Sequence, residues 1–161
     1  MADFDNNRFK SKGQEWETPD ELFNSLNTIF SFTRDVCASA NNAKCEDYWT
    51  EENSCLDKIW SGVNWMNPPY KNMKEFIKKA FEERDNAVTV CLIPARTNTV
   101  WWHKYCMKGE IIFICGRPKF KGCLHGLPQP LALIVFGRSE GCLGSFDLKT
   151  SKFVLNKIKE D

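Results

Sequence analysis

The stretch VNWMNPPYKNMKEF, residues 63–76, changes character twice along its length. The apolar run 63–66 is typical of a strand, and two consecutive prolines must end it because proline cannot donate to a sheet ladder. Apolar residues then recur at helical spacing over 71–84, with charged side chains between them. A strand, a rigid turn and an amphipathic helix in this order indicate an α/β protein.

The rest of the chain continues this alternation of strands and helices. Thr18 and Glu21 form a capping-box pattern around Pro19, which predicts a helix over about 19–30. Weaker signals predict short strands at 32–38 and 46–50, a helical segment at 97–107 and a final strand after 145. Predominantly apolar runs predict strands buried on both faces of a sheet at 87–94, 110–116 and 131–137. We therefore expect an α/β sheet with helices on both faces and ligands at the carboxyl ends of its strands.

Length and composition are those of an ordinary globular domain, with 161 residues, 42% apolar and 27% charged. We expect a flexible polar arm at 1–13 and a single domain over 14–161. The formal net charge is +1, so any nucleic-acid-binding surface must be a local one. The polar N-terminal segment and the lack of a long apolar run predict neither a signal peptide nor a membrane helix. We therefore expect a cytoplasmic location.

The eight cysteines include no C-x-x-C pair. Several lie inside apolar runs, as Cys91 and Cys115 do, where cysteine behaves as a small hydrophobic residue. Structural zinc sites need close ligand pairs, and only His103 and His125 could add to the cysteines. The sequence therefore predicts no metal site, and a cytosolic protein would not be expected to form disulfides.

The tetrapeptide Asn67-Pro68-Pro69-Tyr70 suits the activation of a nucleobase amine. An exocyclic amine is a weak nucleophile because its lone pair is delocalised into the ring. The Asn67 side-chain oxygen and the Pro68 carbonyl could accept its two hydrogens, on a backbone that the prolines hold rigid. Tyr70 offers a flat face for a base removed from the helix. The alternative is a plain rigid turn with Tyr70 in the core, and the strand before and helix after the motif favour the functional interpretation.

These residues resemble the (Asp/Asn/Ser)-Pro-Pro-Tyr motif of S-adenosylmethionine-dependent amino-methyltransferases. The chain as a whole resembles the phage-type DNA N-6-adenine methyltransferases (Dam-like), over about 15–137. The stretches that carry the resemblance are EWETPDELFNSL, FTRDVCASANNAKC, WSGVNWMNPPY, CLIPARTNTVWWHKY and IIFICGRPKF. The resemblance implies a Rossmann-like class I methyltransferase sheet without a large separate recognition domain, and S-adenosylmethionine as cofactor.

The resemblance also implies roles for individual positions. Asn67, Pro68, Pro69 and Tyr70 would form the catalytic motif that grips the target amine. Asp35, at the end of the first strand, would be the acidic position near the methionine part of the cofactor, or alternatively a turn or cap residue. The remaining cofactor positions would be Thr18, Pro19, Cys37 and Ala38. The loop CASANNAKC contains no glycine, unlike the Gly-rich loop of general methyltransferases. For the ribose hydroxyls the candidates are Glu46, Asp47 and Asp57.

Candidates for nucleic-acid contact follow two of the later strands. Arg96 comes at the end of a central strand, where it could contact a phosphate or the flipped base, or form a surface ion pair. The loop that also holds His125 mixes basic and aromatic residues, and its predicted DNA contacts are Arg117, Lys119, Phe120 and Lys121. The alternative for this loop is an ordinary solvated hairpin.

The resemblance implies site-specific methylation of adenine N6 in DNA by base flipping and direct attack, without a covalent enzyme intermediate. Three alternatives stay open: methylation of cytosine N4, methylation of a protein glutamine amide, and nucleic-acid binding by an inactive relative. The expected partner is DNA, with no membrane and no metal, and the protein would be a monomer or weak dimer. If it is encoded by a phage, it would act in the cytoplasm of the bacterial host.

Overall fold

The computed structural model describes residues 16–123, 126–138 and 142–157, and within them seven strands form one mixed sheet. The strands are β1 (Arg34–Asp35), β2 (Gly62–Met66), β3 (Ala87–Pro94), β4 (Glu110–Cys115), β5 (Leu131–Phe136), β6 (Cys142–Asp147) and β7 (Lys152–Lys157). The α-helices are α1 (Asp20–Phe30), α2 (Met73–Glu82) and α3 (Val100–Lys104). The predicted α/β class is thereby confirmed.

The strands lie in the order β1-β2-β3-β5-β4-β6-β7. The first three are parallel, and β5 is antiparallel to both of its neighbours, β3 and β4. Beyond them β6 runs parallel to β4, and β7 closes the series as an antiparallel strand. Because β1 and β2 are parallel neighbours, their last residues, Asp35 and Met66, lie at the same end of the sheet, where these strands have their carboxyl ends. An α/β sheet binds its ligands at these carboxyl ends.

Helices cover both faces of the sheet, as predicted. Alternate residues of β3 show the two layers: Val90 and Leu92 pack on the side of α1, whereas Cys91 and Ile93 pack on the side of α2 and α3. All four side chains are at most 1% exposed. A strand buried on both faces needs no polar alternation, which explains why β3 is apolar apart from Thr89, whose side chain is also buried.

Helix α1 starts without the predicted capping box. Its N-cap residue is Pro19, which makes no side-chain cap bond, and the Thr18 hydroxyl bonds to a different part of the protein. The helix ends at Phe30, and its C-cap residue Ser31 has a left-handed backbone with φ 55° and donates its N–H to the Asn27 carbonyl. The apolar stripe of α1 is buried against the sheet through Leu22, Phe23, Leu26 and Phe30. Each such side chain stabilises the fold by about 1.5–3 kcal/mol.

The predicted helix over 71–84 is confirmed, with tighter turns at its two ends. A 3-10 turn, Tyr70–Asn72, leads into α2, and a second one, Glu83–Asp85, follows it. The buried face of α2 consists of Met73, Ile77 and Ala80, at the helical spacing that the sequence shows. The outer face is charged and solvated. This packing fixes the direction in which the chain leaves the double proline.

Three predicted strands differ from the sequence-based expectation. The strand expected at 32–38 is only β1, two residues long, and the segment expected as a strand at 46–50 contributes a single bridge between Tyr48 and Asp35. After 145 the chain completes β6 and then forms β7, so it contributes two strands instead of one. The 1–13 arm and His125 lie outside the described residues.

No helix in the described part of the chain is long and apolar enough to cross a membrane. All eight cysteines are free, and Cys55, Cys91, Cys106 and Cys142 are buried. The sequence-based interpretation as a small hydrophobic residue holds for Cys91 but not for Cys115, which is exposed at the end of β4. Among the described residues, no group of three or more His, Cys, Asp or Glu could hold a metal ion.

Candidate functional site

A cavity of about 420 Å³ lies where β1 and β2 end. Its size is within the range of small-molecule sites, and its place at the carboxyl ends of parallel strands is the usual one for such a sheet. Asp35 and the residues after it form one wall, and the tetrapeptide 67–70 forms another. A third wall is the segment before α1, residues 16–18. Three parts of the chain that are far apart in sequence therefore meet at one place.

The side-chain amide of Asn67 is held by the segment before α1. Its Nδ2 donates to the Trp16 carbonyl oxygen at 2.7 Å and to Thr18 Oγ1 at 3.1 Å. A carbonyl oxygen can only accept, so the group of Asn67 that faces Trp16 must be the NH₂. Both Nδ2 hydrogens are thereby used, and no described residue donates to Asn67 Oδ1. That oxygen is the acceptor that Asn67 retains for a ligand.

The rest of the tetrapeptide is rigid and lies in part against the core. Pro68 is buried, and Pro69 has φ −62° and ψ 139° before the 3-10 turn begins at Tyr70. The Tyr70 ring is half-buried and packs against the apolar layers of both sheet faces. Burial raises the pKa of Tyr70 to about 12, with a smaller opposing effect of the nearby Arg96 charge. Tyr70 is therefore a neutral aromatic ring at the cavity near neutral pH.

Asp35 is a buried carboxyl group at the end of β1. Its Oδ1 accepts from the Cys37 backbone N–H at 3.2 Å, and its Oδ2 accepts from the Lys44 backbone N–H at 3.1 Å. Burial raises the pKa of Asp35 to about 6, although these two backbone hydrogen bonds oppose the shift. The group is 3% exposed and lines the cavity. A cationic ligand would stabilise the ionised carboxylate, because its positive charge would replace the solvation that burial removes.

Ion pairs fasten the segment before α1 to two loops. Glu17 Oε1 accepts from Lys44 Nζ at 3.2 Å and from Lys121 Nζ at 2.6 Å. Asp20 Oδ1 accepts from Lys44 Nζ at 2.6 Å. The hydrogen bond from Lys121 is the main reason that the pKa of Glu17 is lowered, and the bond from Lys44 does the same for the pKa of Asp20. Glu17 also forms an isolated antiparallel bridge with Lys121.

The sequence is similar to that of known proteins over most of its length. A sequence model of the family described as DNA N-6-adenine-methyltransferase (Dam) matches residues 5–129. The chain belongs to that family. A DNA N-6-adenine-methyltransferase of Haemophilus phage HP1 (strain HP1c1) is 32% identical over 168 aligned positions, which cover 96% of this chain and 94% of the relative. A DNA N-6-adenine-methyltransferase of Escherichia phage T1 is 38% identical over 106 positions, 62% of this chain and 44% of that protein. The chain thus matches less than half the length of the phage T1 relative.

Most residues singled out as family site positions meet at the cavity. The lining includes Thr18, Asp35, Cys37, Ala38, Asn67, Pro68, Pro69 and Tyr70. Pro19 is not part of that lining, because it turns the chain into α1 instead. The loop after β1 reaches the cavity through the small residue Ala38, where general methyltransferases have a Gly-rich loop.

The predicted nucleic-acid contacts divide into two groups. Arg96, Arg117 and Lys119 are exposed, and Arg96 lies close enough to Tyr70 to act on its pKa. Phe120 is 2% exposed and packs edge-on against the Trp16 ring, so the prediction that it contacts DNA is wrong. Lys121 is held by Glu17 and Asp20, at 2.6 and 3.4 Å, and its charge is used within the protein. Phe120 therefore belongs to the hydrophobic core, and Lys121 forms ion pairs that hold the segment before α1.

Sequence reasoning missed several residues of the site. None of the three acidic candidates for the ribose lines the cavity, and Asp47 instead forms an ion pair with Arg34 at 2.6 Å. In the segment between β1 and β2, the acidic residue that lines the cavity is Glu51, together with Thr50 and Ser54. Nothing in the local pattern distinguishes Glu51 from its acidic neighbours. The contributions of Trp16 and Lys44 were equally hidden, because one acts through its backbone carbonyl and the other through an ion pair.

Proposed function

We propose that this protein transfers the methyl group of S-adenosylmethionine to the N6 amino group of an adenine in DNA. Membership of the adenine-methyltransferase family supports the reaction and the substrate. The observation that carries the proposal is the fixed amide of Asn67, whose Oδ1 is left as an acceptor in a residue that lines the cavity. An acceptor that needs no reorganisation is what an amine nucleophile requires.

We propose that Asn67 Oδ1 and the Pro68 carbonyl accept the two hydrogens of the adenine amine. This pair of acceptors opposes delocalisation of the lone pair into the ring and stabilises the positive charge that develops on nitrogen. The double proline fixes the Pro68 carbonyl, and the hydrogen bonds to Trp16 and Thr18 fix Asn67 Oδ1, which reduces the entropy lost on reaching the transition state. The Tyr70 ring provides the stacking face, and such a face is accessible to a base only after the base leaves the duplex. Base flipping is therefore part of the proposal.

The cavity residues fit S-adenosylmethionine, a cation with an amino-acid end and a nucleoside end. Asp35 supplies a buried carboxylate for the cationic amino-acid end, near the backbone of Cys37 and Ala38. Glu51, with Thr50 and Ser54, offers acceptors for ribose hydroxyls. When bound, S-adenosylmethionine supplies an electrophilic methyl group on a sulfonium centre. Asn67 and Pro68 then need only orient the amine, and no cysteine nucleophile is required.

The fold and the exposed cations are consistent with this proposal. The parallel strands β1, β2 and β3, with helices on both faces and the cavity at their carboxyl ends, support a Rossmann-like class I methyltransferase sheet. We propose that Arg96, Arg117 and Lys119 contact DNA phosphates, since all three are exposed and Arg96 lies near Tyr70.

The test is a direct search for the modified base. The protein is incubated with unmethylated DNA and S-adenosylmethionine, the DNA is digested to nucleosides, and these are analysed by mass spectrometry. We expect N6-methyl-2′-deoxyadenosine with the wild type and with Asn24→Ala, an exposed control on α1, but not with Asn67→Ala. N4-methyl-2′-deoxycytidine instead would keep the amine chemistry and replace the substrate. If no base is methylated while S-adenosylmethionine still binds, the protein is a binding relative and the proposal is wrong.

A further inference from the structure

The orientation of the Asn67 amide depends on two groups that lie 49 and 51 residues earlier in the chain. We propose that Thr18 is a positioning residue, which with the Trp16 carbonyl holds the Asn67 amide so that Oδ1 faces the target amine. The proposal rests on the proposed function and adds to it. It gives Thr18 a task other than cofactor binding, and it explains why this chain has asparagine at the first position of its tetrapeptide.

Within the described part of the chain, the Thr18 hydroxyl makes no hydrogen bond other than the one with Asn67 Nδ2. It lies at the start of α1 but makes no cap bond, since the N-cap is Pro19. Thr18 is 2% exposed, and a buried hydroxyl without a hydrogen bond costs free energy. Its bond to Asn67 Nδ2, at 3.1 Å, satisfies that need and fixes the second amide hydrogen. The contact therefore serves both residues.

The segment before α1 is built to hold its position. Successive carbonyls of an extended segment point in opposite directions, and Glu17 and Trp16 show this alternation. The Glu17 carbonyl accepts from the Lys121 backbone N–H at 3.2 Å, whereas the Trp16 carbonyl accepts from Asn67 on the other side. The Glu17 side chain is held by Lys44 and Lys121. The segment that carries the two acceptors facing Asn67 is thus held by ion pairs to Lys44 and Lys121, which lie in two different loops.

This arrangement favours asparagine over aspartate at position 67. A carboxylate oxygen of an Asn67→Asp variant would face the Trp16 carbonyl oxygen, where Nδ2 now lies at 2.7 Å. Two acceptors repel each other, so the carboxylate would turn away and lose the geometry of Oδ1. A protonated carboxyl group would avoid the conflict, because its O–H can donate to Trp16 while the other oxygen accepts from the amine. The activity of Asn67→Asp relative to wild type should therefore rise as the pH falls.

The first test compares Thr18→Val, which removes the acceptor but keeps the shape, with Thr18→Ser, which keeps the hydroxyl. Loss of one positioning hydrogen bond should lower the kcat of Thr18→Val about tenfold, while Thr18→Ser stays within about twofold of wild type. The Kd of S-adenosylmethionine, measured by calorimetry, should change less than about twofold in either. Thr28→Val, an exposed control on α1, should match the wild type.

Several outcomes would overturn the proposal. A wild-type kcat in Thr18→Val would do so, as would a Thr18→Ser variant as slow as Thr18→Val. A loss of cofactor affinity as large as the loss of kcat would make Thr18 a cofactor ligand instead. An Asn67→Asp to wild-type ratio of kcat that stays flat between pH 8 and pH 6, with saturating cofactor, would contradict the explanation for asparagine.

A measurement without turnover separates this proposal from the proposed function. In protein with ¹⁵N-labelled asparagine, the two side-chain amide protons of Asn67 are identified by their loss in Asn67→Ala. We expect both to be protected from solvent exchange in the wild type, and one of them to exchange faster in Thr18→Val. Equal exchange in the two proteins would refute the role of Thr18 even if no DNA were methylated. Methylated adenine with unchanged exchange would refute the role of Thr18 alone.

Discussion

Replacing Asp35 with asparagine should change how the stability of the protein depends on pH. Burial raises the pKa of Asp35 from 3.8 to about 6 in the folded protein. Since the folded state holds this proton more tightly than the unfolded chain, the contribution of Asp35 to stability is fully present below about pH 3.8. It is lost as the pH rises through about 6. The side chain of an Asp35→Asn variant would not titrate, so the variant would not lose this contribution to the unfolding free energy as the pH rises.

The size of the effect follows from the two pKa values of Asp35. A change from 3.8 to about 6 corresponds to about 3 kcal/mol of unfolding free energy in full, of which about 2 kcal/mol falls between pH 4.5 and 7.5. The variant also weakens one hydrogen bond, because an amide NH₂ must face either the Cys37 or the Lys44 backbone N–H. That cost of about 1–3 kcal/mol does not depend on pH.

The assay is urea unfolding of Asp35→Asn and wild type, followed by tryptophan fluorescence at pH 4.5, 5.5, 6.5 and 7.5. The quantity of interest is the unfolding free energy of the variant minus that of wild type, in which the titration of other groups cancels. We expect this difference to move in favour of the variant by about 2 kcal/mol from the lowest to the highest pH. A difference that stays constant, or that moves against the variant, would refute the argument that Asp35 is a desolvated acid.

Three further predictions use the same structure. Binding of S-adenosylmethionine, measured by calorimetry, should weaken as the pH falls below about 6 because Asp35 becomes protonated, and Asp35→Asn should bind weakly with no such dependence. Phe120→Ala should lower the unfolding free energy by about 3–5 kcal/mol in urea unfolding, since the ring is buried. Lys119→Ala, at an exposed position, should leave the unfolding free energy unchanged. It should weaken DNA binding and reduce the slope of log affinity against log salt concentration by about one. Ile77→Ala, in a fully buried position of α2, should cost about 2–5 kcal/mol in urea unfolding, and a loss below about 1 kcal/mol would mean that α2 packs loosely.

The local pattern of the sequence predicted the elements best where the pattern is long. The apolar run of β3 and the helical spacing of α2 each record burial by neighbouring residues, so they can be interpreted without knowing the rest of the fold. The prediction was weakest for β1, which is two residues long and owes its strand geometry to pairing with β2. The capping box was wrong for a similar reason, because the Thr18 hydroxyl bonds to Asn67 instead of to the start of α1.

The sequence by itself determined the α/β class, the buried strands and the rigid tetrapeptide after β2, because proline geometry and hydrophobic periodicity act within a few residues. Only the tertiary structure decided which way the Asn67 amide points, since both of its partners lie about fifty residues away. It also decided that Phe120 is buried and that Lys121 is paired. Hydrogen bonds and ion pairs between distant segments depend on where the sheet places those segments, and no local pattern contains that information.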